Sequence, residues 1–305
     1  MPSKVGSGAP VPHNAVMTND TLIFDRAIVR MHRARAAAFP AAGRFLVHET
    51  RVRLADRLDD IKRRFETVLD LGCGDQDLAA ILAATGRNPQ IISADLAEAF
   101  AGGQAGVVCD EEMLPFARES VDLVIAALTL HWVNDLPGCL LQIRHIMKPD
   151  GLLLAAMWGG ETLKELRESL LQAEIETVSG ASPRVSPFTD VRDAGGLLQR
   201  AGLGLPVVDS DILTVTYPDM FALIRDLRAM GETNAVRDRR RNFTGRATML
   251  RAAAIYRERF GDREGRIPAS FQLLTLTGWS PHESQQKPLR PGSGKISLID
   301  ALKTP

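Results

Sequence analysis

The sequence predicts an α/β fold built on a mostly parallel sheet with helices on both faces. Three observations carry this. Short, almost wholly apolar runs alternate with segments of helical period, as strands do when helices bury both faces of their sheet. The first run opens "VLDLGCGDQDLAAIL" (68–82), where an acidic residue ends the strand, two glycines make a turn, and a helix follows with its N-terminus toward a ligand. Carboxylates then recur at the ends of three successive runs, Asp70, Asp95 and Asp110.

Element by element, "DTLIFDRAIVRMHRARAAAF" and "HETRVRLADRLDDI" read as two charged helices leading into a strand at 67–71. "PQIISAD" (89–95) is a second strand, and "AGVVCDEEMLPF" (105–116) holds a short third followed by a loop. "SVDLVIAALTL" (120–130) is a fourth strand, "LPGCLLQIRHIM" (136–147) a helix stopped by Pro149 and Gly151, and "GLLLAAMW" (151–158) a fifth strand. Beyond it, "TLKELRESLLQAEIE" puts Leu163, Leu166, Leu170 and Leu171 on one helical face, with Thr162 and Glu165 at capping-box spacing. A helix over "DAGGLLQRAGL", a sixth strand at 206–217, helices at 218–231 and 246–261, and a seventh strand at 270–279 complete the pattern. The expected organisation is a mobile leader (1–20), N-terminal helices (21–64), a ligand-binding core (65–158), lid helices with the last strands (159–280) and a flexible tail (281–305).

Composition narrows the function. The chain of 305 residues is 45% apolar and 24% charged, ordinary for a globular protein. No apolar run approaches a membrane span, the N-terminus lacks the apolar stretch of a secretory signal, and Cys73, Cys109 and Cys139 have no CxxC spacing. The cytosol is the expected compartment. Net charge is zero but unevenly placed. Residues 1–64 carry 12 Lys/Arg against 6 Asp/Glu, whereas residues 65–160 carry 4 against 13. An acidic centre disfavours nucleic acid and suits a cationic ligand.

The glycine turn has two common clients. A dinucleotide needs a third glycine at the position of Asp77, and its phosphates would meet the carboxylates of Asp75 and Asp77. S-Adenosylmethionine carries a sulfonium and an ammonium against one carboxylate, so acidic residues favour it. Asp70 then accepts from the ammonium, and Gly72, Cys73 and Gly74 lay bare backbone along the methionine part. Asp95 takes the ribose hydroxyls with Leu96 beside it. Asp110, with Glu111 as a second choice, takes the adenine amine, and Leu114 and Phe116 border the ring.

These features resemble the class I methyltransferase fold, a Rossmann-like sheet of seven strands with a helical substrate lid. More specifically, "CDEEMLPFARESVDLVIAALTLHWVNDLPGCLLQIRHIMKPDGLLLAAMWGGETLKELR" is similar to the mitochondrial complex I assembly factor 5 family and its bacterial relatives. More distantly, it resembles the biotin-pathway malonyl-carrier-protein methyltransferase. The first resemblance extends from "IFDRAIVRMHRAR" to "GWSPHESQQKP" and so covers the chain from about residue 22. It implies S-adenosylmethionine as cofactor and an iron–sulfur subunit of complex I as partner, with two enzymatic readings: methyl transfer to a protein or small-molecule acceptor, and, as the family's role, hydroxylation of an arginine on that subunit. A non-catalytic assembly role is the third reading. Gln76 stands where the fold usually has another glycine, and its side chain is expected to crowd the methionine pocket or contact the cofactor's carboxylate.

Four residues are candidates for the chemistry. His131 and Trp132 follow the fourth strand, where they either position the substrate and take a proton or cap a helix and pack. Glu161, after the fifth strand, faces substrate or complements a helix dipole. Glu232 follows the helix-ending Gly231 and either pairs with an arginine substrate or lies in a solvated loop. None of the six histidines begins the His-x-Asp or His-x-Glu motif of a non-haem iron triad.

Overall fold

The computed structural model describes residues 22–102, 106–178, 180 and 182–286. The leader expected over 1–20 and most of the tail lie outside the described residues. Seven strands form one sheet: β1 (Thr67–Leu71), β2 (Gln90–Asp95), β3 (Gly106–Val108), β4 (Val121–Ala127), β5 (Met147–Trp158), β6 (Gly204–Tyr217) and β7 (Ile267–Trp279). Their order is β3-β2-β1-β4-β5-β7-β6. Pairing is parallel from β3 through β5 and antiparallel where β7 meets β5 and β6. This is the class I methyltransferase architecture. Strand order reverses direction between β1 and β4, so a crevice opens at their carboxyl ends, the usual ligand position of such sheets.

The helices are α1 (Arg26–Ala36), α2 (Phe45–Asp56), α3 (Leu78–Ala84), α4 (Glu98–Ala101), α5 (Leu136–Ile146), α6 (Lys164–Val178), α7 (Val191–Arg200), α8 (Met220–Met230) and α9 (Arg246–Phe260). Every residue of β4 is buried, because helices cover both faces; that is why its sequence shows no alternation. On one face α2, α3, α6, α8 and α9 pack around Leu123, Ile125, Leu154 and Trp158. On the other, α5 and α7 cover Leu69, Val124, Leu153 and Met157. Helix α1 belongs to neither core. Its Val29 and Ala36 pack into two small satellite clusters with Trp132 and Phe100 respectively.

Three local expectations are corrected. Helix α5 ends at Ile146 and β5 begins at once, so Pro149 stops nothing. It sits where the β4–β5 register shifts between Val121 and Leu123, an irregular stretch that spares proline a ladder hydrogen bond. Thr162 and Glu165 form no capping box: Thr162 exchanges hydrogen bonds with the Gln272 backbone, and Glu165 accepts from the Ser270 amide and hydroxyl. Both side chains therefore fasten the start of α6 to β7. Finally, the helices expected as a lid cover the sheet: α6, α8 and α9 lie in the first core, and α7 in the second through Ala194, Leu197 and Leu198.

Candidate active site

The carboxyl ends of β1, β2 and β3 gather the acidic residues. Asp70, the penultimate residue of β1, is 1% exposed, and neither carboxylate oxygen has a hydrogen-bond partner among the described residues. Burial pushes its pKa up to about 6, against the opposing guanidinium of Arg51. The turn that follows needs its glycines. Gly72 has φ +74°, and a Cβ there would lie 2.6 Å from the Cβ of Thr129. Gly74 has φ +46°, with Arg51 Nη2 at 3.3 Å from where a Cβ would stand. Cys73 is buried and free, and burial raises its thiol well above the usual range.

Gln76 is bonded to its own chain. Its backbone takes φ 55°, and its amide donates to the carbonyls of Phe100 and, at 3.0 Å, Gly102. The side chain ties the β1–α3 turn to the end of α4. Leu96 is buried against Trp132. Leu114 and Phe116 pack at the edge of the second core, with the Leu114 amide donating to Gln142 at 3.0 Å.

What the sequence reading missed is a row of arginines facing these acids. Arg33 forks onto both oxygens of Asp95, with Nε at 3.0 Å from Oδ1. Asp95 also accepts from the amides of Gly74 at 3.1 Å and Ala97 at 2.9 Å. Burial alone would raise its pKa, but the Arg33 guanidinium and the two amides hold it below the usual carboxylate range. Arg26 bonds Asp110, Glu111 and the Trp132 carbonyl. Glu111 in turn accepts from the Thr129 hydroxyl at 2.6 Å. Arg44 grips Asp75 through two bonds of 2.6 Å, and Arg51 bonds Asp77 and the carbonyls of Gly72 and Cys73. The four arginines fall in two pairs seven residues apart, two turns of helix. That spacing, with the opposite charge balance of the two segments, was the available signal.

The structure also joins two candidates that the sequence left 101 residues apart. His131 lies in a short 3₁₀ turn (Leu130–Trp132) after β4, and Gly231 ends α8 in the left-handed region at φ 81°. The two turns bring His131 Nε2 to 3.1 Å from each oxygen of Glu232. Both side chains are buried, at 1% and 7% exposure, and His131 Nδ1 has no partner among the described residues. Trp132 and Phe188 stand 5.3 and 5.9 Å from the imidazole centroid to centroid. Glu232 lines a cavity of about 50 Å³ with Trp132, Trp158, Phe188 and Asn234. Trp132 is itself held edge-on against Phe24. Glu161 is not brought in: its carboxylate is exposed and pairs with Lys164 at 3.1 Å.

Comparison with known proteins agrees with this architecture. Residues 69–155 match the methyltransferase-domain family model. The arginine-hydroxylase NDUFAF5, mitochondrial, of Danio rerio is 41% identical across 92% of this chain and 90% of its own. The chain belongs to the NDUFAF5 family. It is also 36% identical to the malonyl-[acyl-carrier protein] O-methyltransferase of a Methylovorus strain, over 87% of this chain and 92% of the relative. A crystal structure of a Bacillus halodurans methyltransferase-fold protein superposes with TM-score 0.52 at 15% identity, over 76% of this chain and 99% of that one; at that identity the likeness speaks for the fold. Like the sequence, the described residues contain no helix long and apolar enough to cross a membrane.

Proposed function

We propose that this protein binds S-adenosylmethionine at the carboxyl ends of β1, β2 and β3 and hydroxylates an arginine of a protein, an iron–sulfur subunit of respiratory complex I, during assembly. The observation that carries the cofactor half is Asp70. A buried carboxylate with both oxygens unpartnered is costly to keep unless a cation comes to it, and the cofactor's ammonium is such a cation. The other acids follow in the order the molecule needs, Asp95 for the ribose hydroxyls and Asp110 with Glu111 for the adenine amine, each now holding an arginine of α1. When bound, the cofactor would supply a methyl group activated on a sulfonium, which serves methyl transfer; hydroxylation would take its oxygen atom from dioxygen, with a separate two-electron reductant converting the other atom to water.

The arginine half is supported by the name of the Danio rerio relative and by Glu232. A buried carboxylate beside indole and phenyl rings suits a guanidinium, which pairs with the carboxylate and stacks on the faces. His131 orients that carboxylate and stands ready to exchange a proton with it through Nε2. Methyl transfer is the second reading, favoured by the O-methyltransferase relative and by the fold. The three free, buried cysteines support a reducing compartment, the cytosol in the sequence reading.

Mass spectrometry of the subunit's arginine-containing peptides, from cells with and without this protein, separates the readings. A peptide heavier by one oxygen atom only when the protein is present supports hydroxylation. A peptide heavier by one methylene supports methyl transfer. Identical spectra remove both reactions on this subunit, and the absence of S-adenosylhomocysteine release in cell extract then removes methyl transfer to any other acceptor in it.

A further inference from the structure

The nucleoside half of the crevice is occupied by the chain itself. A carboxylate offers about four acceptor positions, and Asp95 has four donors on it: Arg33 Nε, Arg33 Nη2 and the amides of Gly74 and Ala97. None remains for a ribose hydroxyl. Arg26 likewise spans Asp110 and Glu111. The methionine half differs, since Asp70 accepts from no described donor.

The two halves also differ in what holds their arginines. Arg51 comes from α2, whose Leu46, Leu54 and Ala55 are rooted in the main core, and Arg44 immediately precedes it. Arg26 and Arg33 come from α1, which lies on the small satellite clusters and against α8, with His32 on the Thr233 carbonyl, and enters neither main core. An element with few core contacts is the kind that opens locally at low cost. Nor does Arg33 have room to swing aside while α1 stays. The arginine is 8% exposed and its guanidinium carbon lies 5.7 Å from the Phe100 ring centroid.

We propose that α1 is an internal strap: Arg33 on Asp95 and Arg26 on Asp110 and Glu111 close the nucleoside end of the site, and a nucleoside-bearing cofactor enters only when α1 lifts. This rests on the cofactor reading above. The strap makes binding a competition between a guanidinium and a ribose for one carboxylate. The apparent affinity is therefore reduced by the fraction of molecules in which α1 is closed.

The test uses S-adenosylhomocysteine as probe, the intact protein, and two readouts. Hydrogen exchange of the wild type, followed by mass spectrometry, is expected to show faster exchange in peptides covering 26–36 when the probe is added, with slower exchange in the turn at 72–77. Calorimetry is expected to give about tenfold tighter binding for Arg33→Met than for the wild type. Arg33→Met leaves Asp95 unpaired and is at risk of misfolding, so the wild-type exchange experiment decides by itself. Binding of the probe with unchanged or slower exchange in α1 overturns the strap and leaves the cofactor reading standing. No heat and no exchange change anywhere overturns the cofactor reading and the strap with it.

Discussion

Asp70→Asn isolates the most unusual electrostatic feature of the site. Burial raises the Asp70 pKa from 3.8 to about 6, so the folded protein binds this proton more tightly than the unfolded chain does. Stability then falls as pH rises from about 4 through about 6, because the unfolded state ionises first. The shift of about two units corresponds to roughly 3 kcal/mol of lost stability above pH 7. Asparagine does not titrate. Its unpartnered amide costs about 1–3 kcal/mol, but equally at every pH. Urea unfolding of both proteins at fixed ionic strength, from about pH 4 to about pH 7, is therefore expected to show the variant gaining on the wild type by up to about 3 kcal/mol. Parallel curves would refute a buried, unpaired carboxylate. The same substitution weakens S-adenosylhomocysteine binding, most above pH 6 where the wild-type carboxylate is ionised.

Gly72→Ala puts a Cβ at φ +74° and 2.6 Å from the Thr129 Cβ; a loss of roughly 2–4 kcal/mol is expected by urea unfolding, and an unchanged midpoint would contradict the close approach. Gln76→Gly is expected to leave calorimetric affinity for S-adenosylhomocysteine within about twofold, less than 0.5 kcal/mol, because the native amide points to the carbonyls of 100 and 102. A tenfold change would return that side chain to the cofactor pocket. Glu232→Gln keeps an oxygen for His131 but removes the charge, so subunit modification measured by peptide mass should slow by about a hundredfold or more, with little change in stability. Full activity would make the His131–Glu232 pair structural.

The sheet was legible because helices on both faces demand continuous apolar strands, and a strand such as β4, buried throughout, writes that demand into consecutive residues. The glycine turn and the carboxylates at strand ends were legible for the same local reason. What depended on tertiary partners was misread. Thr162 and Glu165 have capping-box spacing, yet β7 offers them stronger claims through Ser270 and Gln272. The pairing of His131 with Glu232 joins the end of β4 to the end of α8, and no local pattern encodes it. The arginines at 26, 33, 44 and 51 lie between these cases. Their seven-residue spacing and the segment's positive balance are in the sequence, but which acids they meet is decided only when α1 and α2 fold over the crevice. An acidic core next to a basic leading segment therefore had two solutions, a cationic ligand or the chain's own guanidiniums, and the structure uses the second at Asp95 while Asp70 has no hydrogen-bond partner among the described residues.

The central claim is that the strand-end acids hold S-adenosylmethionine. Calorimetric titration of the intact protein with S-adenosylhomocysteine, beside Asp70→Asn and Asp95→Ala, tests it most directly. The account predicts one site per chain, with each substitution costing about 1.5–3 kcal/mol of binding, less for Asp95→Ala to the extent that it also frees Arg33. Equal affinity in wild type and Asp70→Asn, or no binding by the wild type, would contradict it.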